Sequence, residues 1–276
     1  MAVIEYLDSS VLYQNPRPHI RSRQAYFPGL VLLPSGELLA AFMIGEAFEA
    51  ANATTYISRS SDRGVTWTLQ GPLHDKSALP VPTSPVPTSD VLKPAALSDG
   101  SLIATGYRFE RRDPEQSISI PETGGILPGD DIVSFSADEG RTWTEPEVIP
   151  RSRPELLELS GPCVELRSGD LIGVAACYKM PDGSSPSGQI GVMIRSTDRG
   201  RTWDDRTVFF RSAAGNLTPF EPRVCEMQPG RLAALVWAYD QENDEHHPNH
   251  MVVSRDGGHT WSSPIDTGVM GQASNL

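Results

Sequence analysis

The residues with the most chemistry to offer stand where short apolar runs begin or end. Glu221 opens the stretch Glu221-Pro222-Arg223-Val224-Cys225-Glu226-Met227. A carboxylate there can take a proton or support a nucleophile, and it can equally form a plain ion pair with Arg223 or Lys93. Tyr107 and Arg108 close a second run, with Glu110, Arg111 and Arg112 just beyond, and Tyr239 with Asp240 closes a third. Gly45-Glu46-Ala47-Phe48-Glu49 follows another run and offers Glu46 or Glu49 as an acid, while Arg21 and Arg23 lie upstream. Tyr, Glu, Asp and His move protons, and Lys and Arg hold anions. The cluster His246-His247-Pro248-Asn249-His250 offers His247 as a general base. It lacks a second ligand group at the usual spacing, so no metal and no cofactor are expected.

Such residues act together only if the chain brings them to one place, and a repeat supplies the means. Ser60-Ser61-Asp62-Arg63-Gly64-Val65-Thr66-Trp67 returns in the same Ser-x-Asp-x-Gly-x-Thr-Trp pattern at 136–143, 196–203 and 254–261. Spacings of this size indicate an array of similar units. Each copy follows the same order of elements. An apolar run turns sharply, as at Pro34-Ser35-Gly36 or Ser98-Asp99-Gly100, into a second apolar run. A third strand then enters the motif and a fourth leaves it, which is the make-up of a β-propeller blade. In the motif, Asp accepts backbone N–H groups, Gly supplies a positive φ and Trp buries its ring against the blade. Four equivalent turns in a radial array cannot all reach one pocket, so the motif reads as structural.

The spacing predicts a single all-β domain over 1–276, with blades at about 24–75, 88–150, 156–212 and 218–268. Residues 1–23 read as an N-terminal strand and loop, and 269–276 as the start of a further blade, so the array reads as cut short or completed by another chain. Self-association would cover the open blade edges. Pro80 to Pro87 reads as a stiff connector into the second blade. Starts of innermost strands and ends of second strands lie at the same end of a propeller. That end would gather Glu221, Lys93, Arg223, Glu46, Tyr107, Arg108, Tyr239 and Asp240, and the motif turns would lie on the opposite face.

Composition narrows the partners. The 35 acids against 23 Lys and Arg leave a net charge of −12, which weighs against nucleic acid. No apolar run reaches the ~18 residues of a membrane span. The N-terminus shows no secretory signal, so the cytoplasm is the expected compartment. Cys163, Cys177 and Cys225 lie in apolar runs and read as reduced core thiols.

The four motifs on four-stranded units resemble the Asp boxes (BNR repeats) of the sialidase, or neuraminidase, superfamily, and the likeness runs from about Tyr26 onward. The resemblance implies a sialidase-like β-propeller, six-bladed in the family, and a glycoside hydrolase acting on a terminal sugar. Glu221 with Val224 and Glu226 matches the segment whose glutamate polarises the family's nucleophilic tyrosine. The family also holds its sugar carboxylate with three arginines. Where the first belongs this chain has Tyr26-Phe27-Pro28, and where the second belongs it has Trp237-Ala238-Tyr239-Asp240. The third arginine and the tyrosine would fall beyond Leu276.

Glycosidic cleavage needs a pair of acid/base groups, and an acidic sugar needs a cationic clamp. The first reading is therefore a sialidase-like hydrolase with Glu221 and Glu46 as the pair and Arg108 with Lys93 or Arg23 as the clamp. A second is a lyase on uronic-acid polysaccharide, carried by His246 or His247, Tyr107 and Arg108. A third is a non-catalytic carbohydrate- or protein-binding propeller.

Overall fold

The computed structural model describes residues 5–6, 8–75, 87–272 and 274–276, and among these it is all strand, turn and loop, with no helix. The proline-rich connector of 80–87 falls outside the described residues, apart from Pro87. Blade one comprises β1 (Gln24–Leu32), β2 (Leu38–Gly45), β3 (Thr54–Ser60) and β4 (Thr68–Pro72), paired in that order. Blade two comprises β5 (Thr88–Ala96), β6 (Leu102–Glu110), β9 (Gly129–Ser136) and β10 (Glu147–Val148), with a small hairpin, β7 (Ser119–Ile120) and β8 (Gly125–Ile126), inserted between β6 and β9. In blade three the innermost strand is split into β11 (Leu157–Glu158) and β12 (Val164–Glu165), both paired with β13 (Leu171–Cys177). The sheet continues through β14 (Gly191–Ser196) and β15 (Asp204–Phe210). Blade four comprises β16 (Leu217–Gln228), β17 (Arg231–Asp240), β19 (His250–Ser254) and β20 (Ile265–Asp266), with the short β18 (Glu245–His246) also on β17.

The pairs within each blade are antiparallel, and the second strands are buried nearly throughout, which explains their unbroken apolar character. The core lies between blades. Leu39, Ala41 and Ile57 of blade one pack with Leu92, Leu102 and Ala104 of blade two. Tyr107, Val133 and Ile103 of blade two share a cluster with Leu157, Ala175 and Val192 of blade three. Val174, Met193 and Phe210 of blade three meet Val224, Leu232 and Ala234 of blade four. Cys163 and Cys177 are buried, whereas Cys225 is only half-buried.

The repeated turn has the same geometry in each copy. In the second, Ser136 Oγ donates to Asp138 Oδ1 at 2.8 Å and accepts the Gly140 N–H at 2.8 Å. Asp138 accepts the Thr142 N–H at 2.9 Å and its hydroxyl at 2.6 Å, and Trp143 Nε1 donates to Gly140 O at 3.2 Å. These donated bonds, the Thr142 hydroxyl first, hold the Asp138 carboxyl down at about 2. The turn also keys each blade to its predecessor. Arg59 of blade one donates to Glu139 O at 2.5 Å, and Arg195 of blade three donates to Gly257 O. Register places these turns at the end where β3 finishes, Ser60 opposite Leu38, away from the Gln24–Gly45 end.

The terminal segments carry no strand among the described residues. Before Gln24, Leu12 and Tyr13 pack on Phe42 of blade one rather than pairing in a ladder. The described residues after Gly268 also form no strand. They are tied to blade four through Asn249, whose N–H reaches Val269 O at 2.7 Å and whose side chain reaches Ser274 Oγ at 2.6 Å.

Candidate active site

Residues from all four blades line one cavity of about 860 Å³ at the end where the innermost strands begin. Glu221 enters it because its backbone leaves the strand. The β16–β17 register shifts between Phe220 and Arg223, and Glu221 takes φ +45°. A bulge re-aims the side chain, and a non-glycine residue held there stores about 1–3 kcal/mol of strain. Blade one uses the same device: β1 shifts between Tyr26 and Gly29, with Phe27 at φ +53° facing the cavity.

Blade three breaks more sharply, and the break delivers a second carboxyl. After β11 the chain turns at once, Ser160 N–H donating to Glu158 O at 2.8 Å. Glu158 is left buried in the cavity wall, where its Oε2 accepts the Glu221 N–H at 2.9 Å. Burial pushes the Glu158 carboxyl up to about 8, the Glu221 carboxylate adds to this, and the donated N–H and Arg223 oppose it. Glu158 therefore keeps its proton at neutral pH.

Two cations face the same space. Lys93, in mid-β5 and 5% exposed, donates from Nζ to Phe27 O and lies 5.9 Å from the Phe27 ring centre. Burial, reinforced by Arg223 and opposed by Glu221, brings its ammonium down to about 7. Arg223 Nη1 donates to Pro222 O at 2.9 Å and to Ser160 Oγ at 3.3 Å, so it braces the bulge and lines the cavity at once. Tyr107 and Tyr178 meet edge to face at 5.8 Å, and burial drives both phenols above their ordinary value. The β7–β8 hairpin adds Ile126 to the wall. It is held down where Thr123 Oγ1 donates to Pro181 O at 2.6 Å and where a Cβ on Gly125 would lie 2.2 Å from Met180 O.

Of the residues singled out from the sequence, Glu221, Tyr107, Lys93 and Arg223 come together here. Glu49 lines it too, and the others do not. Glu46 turns toward Arg21, 3.0 Å away, in a separate recess of about 160 Å³ that also holds Arg23, itself 5.3 Å over the Tyr56 ring. Glu49, three residues on and at φ +53°, is the carboxyl of that loop that lines the main cavity. Strand alternation sends Arg108 to the face opposite Tyr107, where it pairs with Asp130 at 2.8 Å. His247 is held by its N–H on Ala238 O at 3.0 Å. Its Nε2 is enclosed without a hydrogen-bond partner among the described residues. Tyr239 donates its hydroxyl to Asp244. Asp240 caps its own loop, accepting Asn216 Nδ2 at 2.7 Å and the N–H groups of Glu242 and Asn243 at 3.0 and 3.1 Å, which leaves it unsuited to hold a ligand. Glu158 escaped the sequence reading; an acid inside the apolar stretch Leu156-Leu157-Glu158-Leu159 was the available signal.

No protein-family model and no curated protein matches the chain. Solved structures do. A protein of unknown function from Dyadobacter fermentans aligns at TM-score 0.72 and 20% identity, over 96% of this chain and 73% of that one. A Hadza microbial sialidase aligns at TM-score 0.65 and 23% identity, over 89% of this chain and 47% of its own length. An α-L-arabinanase of Penicillium chrysogenum aligns at TM-score 0.58 and 18% identity, over 89% and 68%. The chain thus spans about half the length of the sialidase it matches. It has the sialidase-like β-propeller fold.

Proposed function

We propose that the chain is a sialidase-like glycoside hydrolase that cleaves a terminal sugar in the central cavity, with Glu158 as general acid and Glu221 as general base. The observation that carries this is that two glutamates from blades three and four line one cavity, the Glu221 backbone N–H resting on Glu158 Oε2; burial, which raises the Glu158 carboxyl to about 8, supports its role as the acid. Glu158 would give its proton to the leaving oxygen, and Glu221 would take one from the attacking nucleophile. Lys93 and Arg223 on the same wall favour a sugar bearing an acidic group. The lyase reading is weaker on this geometry: His247 and Arg108 do not line the cavity, and Tyr107, with its phenol pushed up, is a poor base.

The test is turnover on a panel of 4-methylumbelliferyl glycosides that includes neutral and acidic sugars. Fluorophore release by the native chain, cut about 10²-fold or more in Glu158→Gln and Glu221→Gln with KM little changed, supports the assignment. On a polysaccharide panel, a product absorbing in the ultraviolet would instead make the chain a lyase. Sugar binding with no product would make it a binding propeller.

A further inference from the structure

Beside the cavity, blade four carries an aromatic surface that the two glutamates do not use. Phe220 is the register partner of Trp237, and His246 is that of Tyr239, so these four side chains share one face of the sheet. Phe220 and Trp237 also line the cavity, which makes the surface continuous with it. Trp237 and His246 lie within 9° of parallel, and Trp237 Nε1 donates to His246 Nδ1 at 3.1 Å. A hydrogen bond through the ring edges means that the two rings lie side by side, not face over face. They form one flat tile, with the imidazole proton on Nε2. Phe220 and Tyr239 flank it at 5.5 and 5.8 Å from Trp237, each tilted by just over 40°. The Tyr239 hydroxyl on Asp244 fixes the Tyr239 ring from its far end.

A pre-set, partly exposed aromatic tile beside a polar cavity suits a ligand with a flat apolar face and a hydroxylated edge. The C–H face of a pyranose has that shape and chemistry, and it can cover the rings while its hydroxyls stay in water. We infer that Trp237, with His246 and Tyr239, forms a second sugar subsite that holds the residue next to the one in the cavity, so that the chain selects oligosaccharides over single sugars. This rests on the proposed carbohydrate reading of the cavity.

The experiment is binding of the catalytically silenced Glu158→Gln/Glu221→Gln chain to a printed array of mono-, di- and trisaccharides. At least one disaccharide is expected to bind about 10-fold more tightly than its own terminal monosaccharide. Trp237→Ala should remove that advantage. Because Trp237 also touches the cavity, His246→Ala, which does not, serves as the second variant and should reduce the advantage about 3-fold with monosaccharide binding unchanged. Equal binding of mono- and disaccharides, or an advantage that survives both substitutions, overturns the subsite and leaves the cavity assignment standing. Binding to nothing on the array overturns both.

Discussion

At the scale of single residues, two glutamates and two glycines show how place sets property. Glu158 keeps its proton to about 8 when folded, whereas the unfolded chain releases it near its ordinary 4.5. Between those values the folded chain binds more protons, so this group makes stability fall as pH rises from about 4.5 to 8, with no further change above. Glu158→Gln should remove that slope and gain on the order of a few kcal/mol over the native chain by pH 8, read from urea unfolding at several pH values. Gly140 lies at φ +80°, and a Cβ there would stand 2.3 Å from Leu39 Cδ1. Gly140→Ala should cost about 2 kcal/mol or more. Gly169→Ala, at φ +91° but with open space around it, should cost only about 1 kcal/mol. Equal losses would contradict the close approach of blades one and two. Glu221 was legible in the sequence because it opens an apolar run. Glu158 was not, since its burial and its partner come from a segment 63 residues away.

At the scale of elements, the repeated turn does two jobs where the sequence spoke for one. Its internal Ser, Asp, Thr and Trp bonds were readable from residue types at fixed spacing. Its docking on the preceding blade depends on residues outside the motif, Arg59 and Arg195, and only the packed sheets reveal it. Arg195 also pairs with Asp170 and is largely buried. Arg195→Ala should lower stability by about 2 kcal/mol in urea unfolding, and Arg141→Ala, a mostly exposed arginine of the second turn, by less than about 1 kcal/mol. The bulges at Phe27 and Glu221 and the break after Glu158 were illegible for a different reason. A strand that kinks to aim one residue inward keeps the same apolar pattern on either side of the kink. For the same reason the first-blade loop gave no basis for preferring Glu49 to Glu46.

At the scale of the whole molecule, the apolar core lies between blades, so no blade keeps its buried faces alone. Urea unfolding followed by tryptophan fluorescence and by far-ultraviolet circular dichroism should therefore give one coincident transition. Two separated transitions would mean that part of the array folds independently. The same arrangement brings residues from four sheets to one cavity, and the catalytic proposal depends on that convergence. The most direct test is the pH dependence of kcat/KM for the native chain and for Glu158→Gln, on whichever glycoside of the panel is turned over. The expected result is a fall in the native rate as pH rises through about 8, where Glu158 loses its proton, with that limb absent from the slow variant on a neutral glycoside. On such a substrate the loss of the Lys93 charge at about 7 has no carboxylate to act on. A native rate that holds level through pH 9, or a variant that keeps the limb and most of the activity, would contradict the assignment of Glu158 as the acid.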